Sequence, residues 1–260
     1  MSERPVLRDL DDGVLLVTLN RPAKKNAFDD PQWDAFRDAL LEAREDPRVA
    51  TLVVTGAGKD FSAGQDLTAF ASASQREDGQ ASGYFGCMDA LFAFDKPLLA
   101  AARGVGVGIG ITLLFACDLV YVGESVRLRL PFVSLGLVPE AASSYLLQAA
   151  IGSQRAAELF YTAEWIDAKR AVEVGIAAGA HPDSELLPAT LAKAREIAQW
   201  PVSALRATKR TLMAVHAAGI RAARAAEDAG MQEQAGSPAN LEAVRAFLEK
   251  RPPDFRKLVE

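Results

Sequence analysis

Three short runs of the chain are apolar or β-branched at every position, and this feature restricts the fold more than any other. They are residues 51–55, 97–102 and 119–122. A strand without polar side chains has both faces buried, as in a parallel sheet covered by helices on both sides. Segments with helical spacing, such as the one that carries Trp33, Phe36 and Leu40, alternate with such runs. The pattern predicts an α/β architecture.

The second half of the chain has mainly helical patterns. After about residue 137 the strand signals fade, and an Ala-rich segment over residues 203–232 has a long helical pattern. Ser237 and Pro238 then supply an N-cap and a first helical residue for a last helix. We therefore predict an α/β core over residues 1–200 and a C-terminal helical oligomerisation region over residues 201–260.

The last predicted helix carries an apolar stripe. Its members are Leu241, Val244, Phe247 and Leu248. Their spacing places them on one helical face, and we expect that face to point inward. The Ala-rich segment before this helix offers little charge that would keep a partner away, so the region also predicts a homo-oligomer.

Composition excludes several classes of protein. With 50% hydrophobic and 24% charged residues, most of the chain is not intrinsically disordered. The net charge of −5 argues against a nucleic-acid partner, and two histidines are too few for a metal centre built on several of them. No apolar run reaches the roughly 18 residues of a membrane helix. Because the charged N-terminus also lacks a signal or transit pattern, and only Cys87 and Cys117 occur, we expect a cytoplasmic protein without a membrane partner.

Four alternating glycines follow the second buried run. They are Gly104, Gly106, Gly108 and Gly110. A dinucleotide-binding motif does not fit, because its third glycine would fall on Ile109 or Ile111. A strand that runs directly into a helix fits better, with the first helical N–H groups near Ile109 and Gly110 favouring negative charge. This arrangement would form half of an oxyanion hole. The alternative is that the glycines serve only tight packing of strand and helix.

A second loop with small residues, residues 61–67, comes after the run at 51–55. Ala63 and Gly64 leave the backbone amides of this loop accessible after a strand. Taken alone, the signal is weak, because an ordinary turn has the same composition.

Together these segments resemble the crotonase (enoyl-CoA hydratase/isomerase) superfamily over nearly the whole chain. The matching segments are residues 19–22 with Asn26 and Ala27, residues 55–67, residues 96–118 and residues 247–251. The resemblance implies a spiral of ββα turns with a helical trimerisation region, arranged as a trimer or hexamer. It also implies an acyl-CoA substrate, of which coenzyme A is a part, so that no separate cofactor is expected. The backbone N–H groups of Gln65 and Ile109 would hold the thioester oxygen.

The carboxylates distinguish members of this superfamily. Its hydratases use two glutamates, and the corresponding positions here are Thr112 and Phe132. Neither side chain can act as a general base near neutral pH, so hydration by two glutamates is not expected. Glu140 instead lies in an apolar stretch with small neighbours, where desolvation would raise its pKa. The alternative is that Glu140 only caps a helix N-terminus.

The segment over residues 131–145 resembles the peroxisomal-type Δ3,Δ2-enoyl-CoA isomerases, in which the glutamate at the position of Glu140 is the catalytic base. We therefore predict an isomerase that shifts a double bond from Δ3 to Δ2 of enoyl-CoA with one glutamate. Weak hydration or thioester hydrolysis with Glu140 activating water is one alternative, and a non-catalytic acyl-CoA-binding protein is another. If Glu140 is not the base, Asp66 is the next candidate.

Binding of coenzyme A by a net acidic chain requires local cations. Lys24 and Lys25 follow the matching segment at residues 19–22, and Lys250 in the last helix would reach the ligand from a neighbouring subunit. The remaining predicted coenzyme A contacts are Ala27, Ala63, Asp66, Leu67 and Phe247.

Overall fold

One large sheet organises the chain in the computed structural model, which describes residues 4–66 and 83–258. The strands in these residues are β1 (Val6–Asp11), β2 (Val14–Leu19), β3 (Thr51–Gly56), β4 (Leu98–Ala102), β5 (Val105–Val107), β6 (Leu119–Gly123), β7 (Arg127–Arg129), β8 (Trp165–Asp167) and β9 (Gly179–His181). The large sheet has the order β1-β2-β3-β4-β6-β9, and all its pairs except β1 with β2 are parallel. A second sheet has the order β5-β7-β8.

The parallel centre of the large sheet follows from its apolar runs. All six residues of β3 and all five of β4 are buried, and Leu52 pairs with Leu98 in the register between them. Successive side chains of a strand point to opposite faces, so both faces of these strands need a cover. The prediction of an α/β architecture with strands buried on both faces is confirmed.

Helices provide that cover. Those in the described residues are α1 (Asp30–Glu45), α2 (Gly83–Ala93), α3 (Ile109–Phe115), α4 (Ser143–Ile151), α5 (Ser153–Thr162), α6 (Ala168–Val174), α7 (Asp183–Ala198), α8 (Val202–Ala214), α9 (Ala217–Gln234) and α10 (Pro238–Leu248). In the part of the chain that the structure describes, none of them has the length and hydropathy to cross a bilayer.

The two faces of the sheet have different partners. On one face Val53 and Leu99 pack against Ala194 of α7. On the other, Leu52 and Leu98 belong to the main core, together with Phe36 of α1. This layering leaves the carboxyl ends of β3 and β4 free to carry loops, which is where ligands bind in open parallel sheets.

Short strands after residue 137 were missed by the sequence analysis. β8 and β9 contain three residues each, and β9 extends the large sheet by pairing with β6. Three residues are too few to show a period of two, so pairing with an existing strand, and not local pattern, decides their conformation.

The Ala-rich segment forms two helices, and not the single long one that its pattern suggested. α8 ends at Ala214 and α9 begins at Ala217. At the break, His216 Nδ1 lies 3.0 Å from the hydroxyl of Tyr145 on α4. The helix is therefore interrupted at the point where His216 contacts α4.

The expected inward direction of the stripe on α10 is wrong for the single chain. Its four side chains, Leu241, Val244, Phe247 and Leu248, are between 37% and 73% exposed. Ala243 and Ala246 are buried instead. The start of the helix also approaches Gly136 closely: a Cβ there would lie 2.7 Å from the backbone nitrogen of Asn240.

Candidate active site

Two loops leave the carboxyl ends of β3 and β4 and lie side by side. The Ser62 N–H donates to the Val105 carbonyl, and the Val107 N–H donates to the Ser62 carbonyl, each at 3.0 Å. This parallel pairing sets Ser62 opposite Gly106. Gln65 follows this pairing by three residues on one loop, and Ile109, the first residue of α3, follows it by three residues on the other.

Glycines allow this close approach of the loops. A Cβ on Gly110 would lie 2.2 Å from the Ser62 carbonyl oxygen, and a Cβ on Gly64 would lie 2.6 Å from the Val107 oxygen. Gly64 also has a φ of +93°, which L side chains rarely adopt. The glycine string therefore packs one loop on the other, in addition to leading into a helix.

Two backbone donors remain available where the loops end. Phe28 bonds to the carbonyl of Gly64 and the N–H of Asp66, at 2.7 and 2.8 Å, so the Gln65 amide points away from Phe28. The N–H of Ile109 opens α3, where no intrahelical acceptor exists. Within residues 4–66 and 83–258, neither N–H has an acceptor. Such a pair can bind an oxygen that carries negative charge.

Asn26 holds the first loop in place. The Nδ2 of its fully buried side chain donates to the carbonyls of Ala57 and Asp60 at 2.9 and 2.7 Å. The backbone carbonyl of Asn26 accepts from the Ser62 hydroxyl at 2.9 Å. The Ser62 oxygen in turn accepts from the Gly64 N–H at 3.2 Å. The segment around Asn26 thus acts as a clamp on the first loop.

Asp66 contributes to the same clamp. Its carboxylate, 8% exposed, lies 3.1 Å from the guanidinium of Arg21, which also pairs with Asp29 at 3.0 Å. This ion pair joins the first loop to the segment that carries Arg21 and Asp29. This contact fits an architectural role for Asp66 better than that of the reserve base.

The residues predicted to bind coenzyme A lie in two places. Lys24 and Lys25 are exposed on a turn whose Lys25 carbonyl accepts the Ala63 N–H at 2.9 Å, which ties both cations to the first loop. Ala27 is buried beside them. Phe247 and Lys250 are exposed at the end of α10, and Leu67 lies outside the described residues.

Glu140 lies close to the second loop. Its Oε1 is 3.9 Å from the point where a Cβ on Gly108 would stand, and Gly108 precedes the free N–H of Ile109. In the described part of the chain, no group forms a hydrogen bond or ion pair with its carboxyl. Burial, followed by the charge of Glu227, raises the pKa of Glu140 to about 7. A carboxyl with this pKa can both accept and return a proton near neutral pH.

The turn after Glu140 has an unusual backbone. Ala141 and Ala142 have φ values of +59° and +57°, in the region that favours glycine. The Ala141 N–H donates to the Tyr84 hydroxyl at 3.1 Å. The N–H groups of Ala142 and Ser144 donate to the carboxylate of Glu227 at 2.7 and 2.8 Å. Glu227, and not Glu140, therefore caps α4, and the capping alternative for Glu140 is wrong.

Aromatic side chains connect the loops to this turn. Trp33 donates from Nε1 to the Gln65 side-chain oxygen at 3.0 Å, and its ring lies edge-on to Tyr84 with centroids 5.3 Å apart. Tyr84 then accepts from Ala141. Burial and the charge of Glu140 raise the pKa of Tyr84 above its usual value, so its hydroxyl stays neutral.

Two further positions show what the site lacks. Thr112 is fully buried, and its hydroxyl has no partner among the described residues. Phe132 is 4% exposed and packs near Phe160 with centroids 6.4 Å apart. Neither position holds a carboxylate. In residues 4–66 and 83–258, no group of three or more His, Cys, Asp or Glu side chains is placed to hold a metal ion.

Three side chains of this site were not predicted. Trp33 matched the pattern of a core helix residue, and no sequence signal separates Tyr84 or Glu227 from ordinary helical residues. Their importance comes from contacts across 32, 57 and 85 residues of chain, which only the folded structure brings together.

The parallel sheet, the paired loops and the C-terminal helices define a protein of the crotonase fold. The structure of an enoyl-CoA hydratase/isomerase from Pseudoalteromonas atlantica T6c matches it with a TM-score of 0.92 and 32% identity, covering 96% of this chain and 99% of that chain. The family model described as Enoyl-CoA hydratase/isomerase matches residues 9–258. The chain therefore belongs to the enoyl-CoA hydratase/isomerase family, within the crotonase superfamily.

Relatives of this chain carry both names of the family. The 2,3-dehydroadipyl-CoA hydratase of Escherichia coli strain K12 is 33% identical over 259 residues, which cover 98% of this chain and 99% of that protein. Enoyl-CoA delta isomerase 2 of Rattus norvegicus is 31% identical over 255 residues, which cover 96% of this chain and 65% of that protein.

Proposed function

We propose that the protein is an acyl-CoA isomerase that moves a double bond from Δ3 to Δ2 of an enoyl-CoA. The observation that carries the proposal is the half-buried carboxylate of Glu140 beside the second loop, which has no hydrogen-bond or ion-pair partner among the described residues. At the two positions where a hydratase of the family would need acids, the chain has Thr112 and Phe132. The name of the rat relative supports the same reaction.

The reaction needs one base and an oxyanion site. The N–H groups of Gln65 and Ile109 polarise the thioester oxygen and acidify the protons on C2. Glu140 takes one of these protons, and the electrons of the C2–H bond form a dienolate whose oxygen lies between the two amides. The protonated Glu140 then returns the proton at C4, while the C3=C4 double bond becomes C2=C3. No water enters, and no net proton is gained or lost.

The oxyanion donors and the general base can each lower the activation barrier substantially. Removal of one oxyanion donor typically costs about 2.7–4 kcal/mol of barrier, and loss of a general base costs roughly 10²–10⁴-fold in rate. Because Glu140 has a pKa of about 7, the carboxylate form is well populated near neutral pH, and the acid form can still release the proton.

Hydration of a 2-enoyl-CoA is the second candidate function. The name of the Escherichia coli relative favours it. In this case Glu140 alone would have to activate water and also supply the proton, since Thr112 can do neither. A hydratase built on one carboxylate would be slow.

The two functions can be separated with one purified sample. Wild type and Glu140→Gln are assayed against 3-enoyl-CoA for isomerisation and against 2-enoyl-CoA for hydration, with release of free coenzyme A followed in parallel. We expect fast isomerisation that depends on Glu140. Hydration or thioester hydrolysis faster than isomerisation would contradict the proposal.

We also propose a homotrimer or a dimer of trimers that binds acyl-CoA through Lys24 and Lys25. Both lysines are exposed beside the first loop, and neither forms an ion pair in the described residues. The exposed stripe on α10 supplies an apolar surface for association, with Leu248 73% and Phe247 61% exposed. Light scattering should give a multiple of three chains, and a 27.8 kDa particle at micromolar concentration would contradict the oligomer.

A further inference from the structure

A second buried carboxylate, Glu227, lies behind the turn that carries Glu140. It belongs to α9 and is only 6% exposed. Its Oε2 accepts the Ala142 N–H at 2.7 Å, and its Oε1 accepts the Ser144 N–H at 2.8 Å. Charge-assisted bonds of this length are strong, and both oxygens are used on one turn.

The turn needs such a restraint. Two successive alanines in the left-handed region are disfavoured, because the Cβ of each crowds its own backbone. Three N–H groups of the turn are anchored from outside it: Ala141 by Tyr84 on α2, and Ala142 and Ser144 by Glu227. The backbone that carries Glu140 therefore keeps a conformation that its own sequence does not favour.

Few charged groups face this pair of carboxylates. Tyr84 on α2 is neutral, Asp228 adjoins Glu227 on α9, and α3 has no titratable side chain. On α4, Tyr145 bonds to His216 instead. Among the described residues, Glu227 is the charged group that acts on the Glu140 carboxyl, and its repulsion disfavours the ionised form of Glu140.

We propose that Glu227 is a positioning residue, which through its two backbone hydrogen bonds fixes the turn after Glu140 and so sets the place of the Glu140 carboxylate at the ends of the loops. The inference rests on the proposed function, since Glu140 is the group whose position matters. Glu227 itself touches no reacting atom. It acts on the reaction through the backbone and through its charge.

The test is Glu227→Gln. Glutamine keeps the size, but it offers one oxygen and an NH₂ group, so one of the two N–H bonds is lost and the like charge disappears. We expect kcat to fall roughly 10- to 100-fold with KM changed less than about threefold, because misplacement of a catalytic group mainly affects the chemical step. The rising limb of kcat/KM should move to lower pH. If both kcat and the pH of the rising limb of kcat/KM stay unchanged, the inference is overturned.

A titration without substrate separates this inference from the proposed function. The carboxyl of Glu140 is followed by ¹³C NMR in labelled protein, with Glu140→Gln used to assign its signal. We expect the pKa of Glu140 to be lower in Glu227→Gln than in wild type. If wild type fails to isomerise but the pKa falls, the proposed function is wrong and the electrostatic part of the inference stands. If wild type isomerises and Glu227→Gln leaves both rate and titration unchanged, only the inference fails.

Two more variants test whether Glu227→Gln loses activity merely because it folds poorly. Glu227→Gln with Ala142→Gly gives the turn a residue that accepts a positive φ, and it should regain part of the lost kcat. Glu233→Gln removes an exposed carboxylate from the same helix and should leave the rate and the pH limb unaltered. If the double variant folds but regains none of the lost kcat, Glu227 does not act through the turn, and the positioning role is refuted.

Discussion

The two sides of the candidate site are built in different ways. On the oxyanion side, the loops at residues 61–66 and 105–110 pair through their own backbones, and glycines permit the contact. On the base side, Glu140 stands on a strained turn held by Tyr84 and Glu227, which are 57 and 85 residues away from the groups that they bond. Backbone donors require a rigid frame, whereas a proton-shuttling carboxyl requires a tuned environment. The first can be built locally, but the second depends on distant elements.

The largest expected effect comes from the base side. Glu140→Gln keeps the size and polarity of the side chain but cannot accept a proton. We expect isomerase kcat to fall at least about 100-fold, with little change of KM for the thioester. Steady-state kinetics with a 3-enoyl-CoA measures both values.

Glu42→Gln is the control for this substitution, because Glu42 is an exposed carboxylate on α1 that bonds to Arg8 at the surface. Its activity should equal that of wild type. More than a tenth of the activity remaining in Glu140→Gln would mean that the reaction uses another base.

The matching change on the oxyanion side is Gly64→Ala. A Cβ at this position would stand 2.6 Å from the Val107 oxygen, and φ is +93°, so the loops must separate. We expect a loss of stability of about 2–4 kcal/mol and a fall in kcat of roughly tenfold or more, because the Gln65 amide moves. Urea unfolding and kinetics report the two losses.

Gly236→Ala is the control for strain without a clash. Its φ is +79°, but nothing lies within 4 Å of the added Cβ. The cost should be about 1 kcal/mol, without loss of activity. If Gly64→Ala and Gly236→Ala lost the same stability and activity, the close contact between the two loops would not be needed for the oxyanion side.

The pH profile sharpens the contrast further. Only the base side titrates, since backbone amides do not. With a pKa of about 7 for Glu140, kcat/KM should rise about tenfold per pH unit below that value and stay flat above it, because the carboxylate is the active form. A bell-shaped profile would indicate an acid and a base that act together, as in hydration by two carboxylates.

The smallest expected effect is on stability. Burial raises the pKa of Glu140 in the fold to about 7 from an ordinary value of 4.5. Its contribution to stability is therefore complete below about 4.5 and is lost as pH rises to about 7. Glu140→Gln should stabilise the protein by about 1–3 kcal/mol at pH 8 and by much less at pH 4, as measured by urea unfolding. The same gain at both pH values would argue against a buried, titrating carboxyl.

Much of the sheet, its loops and the helix ends could be predicted, because the sequence patterns that indicate them are local. A continuous apolar run such as residues 51–55 has few alternatives to a buried strand, and the small residues after it indicate a loop. Ser237 at the start of α10 caps it through the Asn240 N–H at 3.2 Å, as its position in the sequence indicates. β8, β9 and the break at His216 were missed, because their conformation depends on partners that are far away in sequence.

The sequence alone indicated an α/β architecture with buried strands, two glycine-containing loops and one glutamate in an apolar stretch. Spacing and burial tendency are properties of neighbouring residues, so they can be recognised along the chain. The folded structure was needed to show that Ser62 pairs with Gly106, that Ala141 and Ala142 are left-handed, and that Glu227 bonds to their turn. These features depend on which distant groups meet in the interior, where an unpaired N–H or charge is costly, and that cost is set by the whole fold.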